Sequence, residues 1–323
     1  MGKAEFDMFG KSGEAIAGAG QERYGIRATT VERAGIDGFR QRDAQTRVIE
    51  EDVLTIDIDD VGSYSLMWTP TSDNTQAAAY HLEDGILADS GASEQLAMAA
   101  GFAFTEGIVD TLSDIAYMAV CPERNDVVRM RLTHPEMVSV RRRNVVMNSS
   151  CGVCGGREQL QDAVISASPV SDVLRVTVAD LILIGNQMRS RQAIFDSTGG
   201  AHGAAIFDSA LGMVAVAEDL GRHNALDKVI GYRFLGGLGF GGCGAFISSR
   251  ISYEMVAKAA RAGFEIVAAI SAPTSLAIET AERSGITLCG FVRSGSAEVY
   301  THPHRIIAAP SAGSCQPLGR RRT

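Results

Sequence analysis

Residues 243–293, CGAFISSRISYEMVAKAARAGFEIVAAISAPTSLAIETAERSGITLCGFVR, decide the fold of this chain. Three short apolar runs (243–249, 265–271 and 286–293) alternate with two segments whose apolar residues recur at helical spacing. Strands that alternate with helices predict a layered α/β domain with a mixed or mostly parallel sheet. In such a sheet, ligands bind beyond the carboxyl ends of the strands.

The same alternation extends upstream of this stretch. The further predicted elements are a helix over 178–195, strands over 201–208 and 212–218, and a helix over 223–235. Glycines in the sequence STGG are expected to end the first of these helices. We therefore expect one α/β domain over residues 158–309, followed by a C-terminal tail over 310–323.

The first half of the chain has a different pattern. The alternating runs VIEEDVLTIDI (48–58) and SYSLMWT (63–69), joined by DDVG, predict a β-hairpin. Residues 93–106 have helical spacing with Ser93 as N-cap, and DIAYMAV and VVRMRLTH are predicted strands. Together they predict a smaller α+β domain over 42–147. Residues 1–41 show no sustained period and are expected to form a flexible tail.

Composition excludes several classes of protein. The 323 residues are 46% hydrophobic and 21% charged, which is typical of a globular protein, and the formal charge of −8 argues against a general nucleic-acid binder. No run of 18 apolar residues and no N-terminal signal pattern is visible, so we expect neither a membrane span nor export. Six dispersed cysteines indicate reduced thiols. The expected location is the cytoplasm.

The segment NSSCGVCGGR (148–157) carries Cys151 and Cys154 in a setting of serine and glycine, where no side chain can build a core. It is predicted to be a mobile loop that holds two functional thiols. A C-x-x-C pair serves three chemistries: a structural zinc site, a dithiol redox pair and nucleophilic sulfur transfer. The interpretation that the two thiols are spare and have no function is the less favoured one.

The surroundings of the pair bear on these three possibilities. A zinc site needs a second pair of ligands, and the nearest candidates, His302 and His304, form at most a weak half-site. The other cysteines, Cys121, Cys243, Cys289 and Cys315, are solitary. A thioredoxin-like pair follows a buried strand, whereas the segment upstream here is basic and polar. Its arginines at 141, 142 and 143 favour thiolate and attract anions.

Polar clusters fall where the predicted strands meet the helices. They include Gly199, Gly200 and His202; Arg222 and His223; Arg250; and Arg293 with Gly295. Any one cluster is explained by an ordinary cap or turn. Four clusters at one end of a sheet predict a pocket of arginines and backbone donors that suits phosphate or pyrophosphate.

Several long motifs, in order and downstream of CGVCG, resemble the FdhD/NarQ family of formate dehydrogenase accessory proteins over about residues 48–307. They are TGGAHGAA, EDLGRHNALDKVIG, SSRISYEMVAKAARAG, SAPTSLAIETAERSGITLCGF and VYTHP. The resemblance implies a sulfur carrier that takes persulfide sulfur from a cysteine desulfurase. The carrier passes it to the molybdenum cofactor, bis-molybdopterin guanine dinucleotide, which formate dehydrogenase receives. It also implies a cytidine-deaminase-like fold and a homodimer that binds the guanine dinucleotide.

The resemblance also implies residue roles. Cys151 holds the persulfide and Cys154 assists. The segment FVRSGS matches the family's cofactor-binding stretch and consists of Phe291, Val292, Arg293, Ser294, Gly295 and Ser296. Chemistry adds the pocket residues Gly199, Gly200, His202, Arg222, His223 and Arg250. No tightly bound metal is expected. The chain departs from the family at Leu220, Ser249 and Glu298, and in a long connection over residues 71–100.

Two alternatives come from other classes of protein. A zinc-dependent deaminase requires H-x-E followed by P-C-x-x-C. Here His202 is followed by Gly203 and Ala204, and the cysteine pair precedes the histidine without a proline. The second alternative is a chaperone that escorts the cofactor without transferring sulfur, in which case Cys151 is dispensable.

Overall fold

A computed structural model describes residues 24–72, 79–81, 85–87, 93–138, 146–147 and 170–308. The predicted C-x-x-C loop over 148–157, with Cys151 and Cys154, lies outside the described residues, as does the predicted tail over 310–323. Within the described ranges, no helix has both the length and the apolar character needed to cross a membrane.

The elements of the described residues are numbered in chain order. The strands are β1 (Ile26–Ala34), β2 (Arg40–Ile49), β3 (Asp52–Ile58), β4 (Gly62–Trp68), β5 (Ala79–His81), β6 (Gly85–Leu87), β7 (Ile115–Cys121), β8 (Arg124–Leu132), β9 (Val146–Met147), β10 (His202–Asp208), β11 (Met213–Asp219), β12 (Cys243–Ile247), β13 (Ile266–Ala269), β14 (Thr287–Arg293) and β15 (Ser296–Thr301). The helices are α1 (Glu94–Thr105), α2 (Val178–Ser190), α3 (Ala193–Thr198), α4 (Arg222–Leu235), α5 (Tyr253–Ala262) and α6 (Ser275–Ser284).

The C-terminal half forms a six-stranded mixed sheet in the order β11-β10-β12-β13-β14-β15. Strands β12, β13 and β14 are parallel to one another, and the other neighbouring pairs are antiparallel. This confirms the α/β class and, of the two predicted arrangements, the mixed sheet. Strand β15 was not predicted, because SAEVYT follows the turn at Gly295 without a clear apolar alternation.

Helices cover both faces of this sheet. On one face Leu181, Ile184 and Met188 of α2 pack against Phe207 and Phe246. On the other face lie α4, α5 and α6, which share a core with α1 and with a seven-stranded sheet of order β6-β5-β7-β8-β3-β4-β9. The predicted hairpin of β3 and β4 is confirmed in this second sheet, as is helix α1.

Helices α1 and α4 cross with their backbones in contact. A Cβ atom at Gly101 of α1 would lie 1.9 Å from the carbonyl oxygen of Asp227, and one at Gly231 of α4 would lie 1.7 Å from that of Ala97. Only glycine permits this approach. The hydrophobic core is therefore continuous between residues 42–147 and 158–309, which the sequence divides into two domains.

The prediction of a flexible tail over residues 1–41 was wrong for residues 26–41. Strands β1 and β2 form an antiparallel hairpin whose tip carries Gly38 at φ 84°. Most side chains of both strands are exposed, so the sequence shows no alternation of apolar and polar residues. The dipeptide Asp37-Gly38, a strong hairpin signal, was the clue that the pattern analysis missed.

Two other segments differ from expectation. The predicted helix over 178–195 breaks after Ser190, because Glu218 accepts hydrogen bonds from the N–H groups of Ile194 and Phe195, each at 2.9 Å, and so starts a new helix, α3. The long connection over 71–100 contributes β5 and β6, and β5 pairs with β7 to extend the seven-stranded sheet.

Candidate functional site

The predicted site residues of the C-terminal half lie at one edge of the six-stranded sheet. The parallel strands β12, β13 and β14 end at this edge. Strand β10, antiparallel to β12, begins there, and β11 ends there. We call this the carboxyl edge, after the ends of the three parallel strands. The helices α4 and α5 also begin at it, directly after β11 and shortly after β12.

His202 is the first residue of β10 and pairs with Asp219 of β11. Its Nδ1 lies 3.5 Å from Ser248 Oγ, and that hydroxyl accepts a hydrogen bond of 2.9 Å from the N–H of Gly203. Burial lowers the pKa of His202, and the positive charge of Arg222 lowers it further, while Asp219 acts in the opposite direction. The imidazole is therefore neutral at neutral pH.

The first turn of α4 presents Arg222 and His223 at the same edge. In the part of the chain that the structure describes, the buried Arg222 Nε has no hydrogen-bond partner. His223 Nε2 lies 2.7 Å from Glu254 Oε2, and both side chains are largely buried. A buried guanidinium nitrogen without an acceptor is costly, and an anionic ligand would satisfy it.

The helices differ in how their N-termini are capped. Ser93, Thr177 and Thr274 cap α1, α2 and α6, each accepting a hydrogen bond from a backbone N–H of the first turn. Helices α4 and α5 have no such bond: the N-cap of α4 is Gly221, and Ser252 at the N-cap of α5 leaves its buried Oγ without a partner among the described residues. Of the three helices that begin at the carboxyl edge, α4 and α5 thus keep first-turn N–H groups available for an anion, whereas α6 is capped by Thr274.

The segment FVRSGS at the end of β14 has an unusual backbone. Phe291 and Ser294 adopt φ values of 51° and 52°, and Gly295 one of 85°. Positive φ is strained for a bulky residue such as phenylalanine, and such strain concentrates at ligand-binding segments. The pairing of β14 with β15 is irregular here, and the Arg293 guanidinium lies 5.5 Å from the Phe291 ring centroid. Ser294, Gly295 and Ser296 are exposed.

The structure brings some predicted residues together and separates others. His202, Arg222 and His223 form one cluster, with the Gly199–Gly200 turn just before β10. Arg250 is exposed and follows β12 at the same edge. FVRSGS lies three strand spacings from β10, about 14 Å along the edge. An extended ligand, rather than a small ion, is needed to contact both ends.

Sequence reasoning missed three residues that shape this cluster: Glu94, Lys228 and Glu254. Lys228 lies in the quoted motif EDLGRHNALDK but carried no signal of its own. Glu94 sits 134 residues away from Lys228 in sequence, yet its carboxylate accepts a hydrogen bond from that ammonium group. Long-range pairs of this kind have no local sequence pattern.

The described residues contain no group of three or more His, Cys, Asp or Glu side chains that could hold a metal ion. Cys151 and Cys154 lie outside those residues.

Comparisons with known proteins agree with the motifs. The model of the FdhD/NarQ family matches residues 91–307. A protein named sulfur carrier protein FdhD from Bordetella bronchiseptica is 36% identical over 264 residues, which cover 81% of this chain and 87% of that protein. One of the same name from Mycolicibacterium paratuberculosis is 41% identical over 222 residues, 65% of this chain and 81% of that protein.

A solved structure has the same fold. It comes from Desulfotalea psychrophila and is described as a formate dehydrogenase accessory protein. It superposes with a TM-score of 0.65 at 22% identity, over 87% of this chain and 99% of that one.

Proposed function

Because the chain belongs to the FdhD/NarQ family, we propose that it is a sulfur carrier that serves formate dehydrogenase. Relatives that carry the name sulfur carrier protein match it over up to 81% of its length. The strongest structural support for the proposal comes from the N-termini of α4 and α5. Both lack a side-chain cap bond and lie at the carboxyl edge with Arg222. They suit a pyrophosphate-bearing acceptor such as bis-molybdopterin guanine dinucleotide.

In the loading step, the Cys151 thiolate attacks the outer sulfur of a persulfide on a cysteine desulfurase. A new S–S bond forms on Cys151, the S–S bond of the donor breaks, and the donor cysteine leaves as a thiolate. The outer sulfur is transferred without a net change in oxidation state.

In the release step, the Cys154 thiolate attacks the Cys151 sulfur and closes a Cys151–Cys154 disulfide. The outer sulfur leaves as hydrosulfide to the acceptor, so the sulfur is reduced and the cysteine pair is oxidised. An external dithiol reductant must then restore both thiols.

The acceptor is proposed to lie along the carboxyl edge. FVRSGS would hold one end, and the first turns of α4 and α5 with Arg222 would receive the phosphates. The neutral His202 can donate or accept a hydrogen bond without adding charge.

The route of the chain favours delivery of sulfur at this edge. Met147 of β9 pairs with Leu66 of β4, and the next residue of β4, Met67, accepts a hydrogen bond of 2.7 Å from Asn224 in the first turn of α4. Cys151 is four residues beyond Met147, and four residues span at most about 14 Å. Cys151 therefore follows closely in sequence on a strand whose neighbour, β4, contacts the first turn of α4.

The proposal includes four further points: a homodimer, a cytidine-deaminase-like arrangement of the C-terminal half, the absence of a tightly bound metal, and action in the cytoplasm. Zinc analysis of the purified protein tests the deaminase alternative. About one equivalent per chain, lost when Cys151 is replaced, would favour that alternative.

Intact-protein mass spectrometry tests the loading step. After incubation with a cysteine desulfurase and cysteine, we expect one added sulfur, about 32 Da, on the peptide that contains Cys151. Cys289 is the matched control thiol, since burial raises its pKa to about 12 and it should stay unmodified. Sulfur on Cys289 but not on Cys151 would contradict the proposal.

Replacement of Cys151 by alanine separates transfer from escort. The carrier hypothesis predicts a formate dehydrogenase that contains molybdenum but is inactive, whereas a chaperone without sulfur transfer would leave the enzyme active. Cys289→Ala should leave the enzyme active under either hypothesis.

A further inference from the structure

Behind the first turn of α4 lies a buried network formed by Glu94, Lys228 and Asp219, which the proposed sulfur chemistry does not use. Asp219 Oδ1 accepts hydrogen bonds from the N–H of Gly221 at 2.8 Å and from Asn224 Nδ2 at 2.9 Å. Its Oδ2 accepts one from the N–H of Thr69 at 3.0 Å and lies 2.8 Å from Lys228 Nζ. This carboxylate therefore fixes both the start of α4 and the chain end of β4.

Lys228 is the charged centre of the network. Its side chain is 0% exposed, and its Nζ lies 2.6 Å from Glu94 Oε1 and donates to the carbonyl oxygens of Thr69 and Glu218 at 2.7 and 3.0 Å. Burial alone would lower the pKa of Lys228, but Asp219 and Glu94 outweigh it and raise the pKa. The ammonium group is thus charged, and it offsets much of the negative charge of the two carboxylates.

Asp219 stabilises α4 without occupying its anion-binding groups. A capping side chain at the N-cap normally accepts from the N–H of the second or third helical residue. Here the N-cap is a glycine and the carboxylate bonds the N–H of that glycine instead, so α4 lacks the usual side-chain cap bond. The first turn is held in place and stays open to a ligand.

We infer that the Glu94–Lys228–Asp219 network positions the first turn of α4, with Arg222 and His223, for an anionic ligand, and that Lys228 keeps this turn receptive by offsetting the carboxylate charge behind it. The inference rests on the proposed function only in that the ligand of the carboxyl edge is an anionic nucleotide. All three members act through α4 and are positioning residues.

The test compares charge changes of opposite sign within the network, with guanosine diphosphate as the probe in titration calorimetry on the full chain. Lys228→Met is expected to weaken binding of the probe about tenfold, because an uncompensated carboxylate then faces the anion. Glu94→Gln removes a negative charge and is expected to tighten binding by about threefold, although it also destabilises the protein. Both substitutions are expected to lower stability, but one weakens and the other tightens binding of the probe. General damage to the fold would not change the affinity in opposite directions.

Lys258→Met is the matched control. Lys258 is also buried between two carboxylates, those of Glu106 and Asp227, but it makes no contact with Asp219. The control variant should lose stability and keep the affinity of the wild type for guanosine diphosphate. If Lys228→Met does not fold, Glu94→Gln still decides, since loss of stability alone does not tighten binding.

Three results would overturn the inference. Equal loss of affinity in Lys228→Met and Lys258→Met would show that the network is only structural. Weaker binding in Glu94→Gln would show that the buried carboxylate charge does not oppose the ligand, which contradicts the role inferred for Lys228. The proposed function would stand in either case. Failure of the wild type to bind guanosine diphosphate would remove the acceptor site of the proposed function and the inference with it.

Discussion

Lys228 and Lys258 form two buried networks of the same composition, and the comparison shows what such networks do. Each lysine bridges α1 and a C-terminal helix, and each contacts two carboxylates: Glu94 and Asp219 for Lys228, Glu106 and Asp227 for Lys258. Asp219 extends its contacts to the first turn of α4, whereas Asp227 bonds Thr105 at the end of α1. The same ion pairing thus positions a site in one case and joins helices in the other.

The two lysines also share a context. Lys228 lies on α4 and Lys258 on α5, and neither helix has a side-chain cap bond from its N-cap residue. Helix α6 begins with a capping threonine and has no buried lysine. A helix whose N-terminus is left open for a ligand loses the stabilisation of a cap. We interpret the Glu94–Lys228–Asp219 network as the contact that holds the open N-terminus of α4 in place instead, because Asp219 reaches the first turn of that helix.

The largest expected effect is on global stability. Lys228→Met should lower the free energy of unfolding by about 3–5 kcal/mol, because it leaves two carboxylates buried without their cation. Lys258→Met should cost less, since Lys258 and Glu106 are 9% and 16% exposed, whereas the Lys228 and Glu94 side chains are 0% and 1% exposed. Urea unfolding of both variants measures the difference. An equal or larger loss of stability in Lys258→Met would contradict the expected order of the two variants.

A smaller effect distinguishes capped from open helix N-termini. Thr274→Ala should lower the free energy of unfolding by about 1 kcal/mol, because Thr274 Oγ1 accepts from the N–H of Ala277. Ser252→Ala at the start of α5 should change it by less than about 0.5 kcal/mol, since its Oγ makes no cap bond. The same denaturant titration measures both. A cost for Ser252→Ala that matches Thr274→Ala would show that α5 is capped after all.

The smallest expected effect is the pH dependence of stability that His202 contributes. His202 pairs with Asp219 of the Lys228 network. Burial lowers the pKa of His202 below its ordinary value of 6.5, so below about pH 6.5 the unfolded chain binds the proton more readily than the folded one. The contribution of the neutral imidazole is complete above that pH and declines as the pH falls toward the folded pKa. The stability difference between wild type and His202→Gln should therefore shrink from about pH 7.5 to about pH 5.5. A constant or growing difference would contradict the prediction.

Local patterns in the sequence were sufficient for most of the C-terminal half. The period of 3.6 in 253–262 and the apolar runs around Val267 and Leu288 predict the alternating helices and strands that the structure contains. The same reasoning failed for β1, because strands exposed on both faces have no alternation to detect. It also failed at Gln192, where a carboxylate distant in sequence, Glu218, divides one predicted helix into two.

The candidate site could be predicted only in part. Strand ends marked His202, Arg222 and the FVRSGS segment, and pairing in the sheet places them at one edge. Which side chains approach one another depends on antiparallel register and on helix packing, neither of which leaves a local pattern. Glu94 illustrates this: in sequence it is an ordinary acidic residue of a first helical turn, and only the fold makes it a partner of Lys228.

The backbone contact between Gly101 and Gly231 links the geometry of the two lysine networks. Because α1 supplies Glu94 from its first turn and Glu106 from just past its last, its crossing with α4 fixes the distance across which both lysines must reach. A methyl group at either glycine would push the helices apart and lengthen the contacts at both ends at once. A substitution at this crossing would therefore disturb both ion-pair networks at once, so that the two could not vary independently of the packing of α1 on α4.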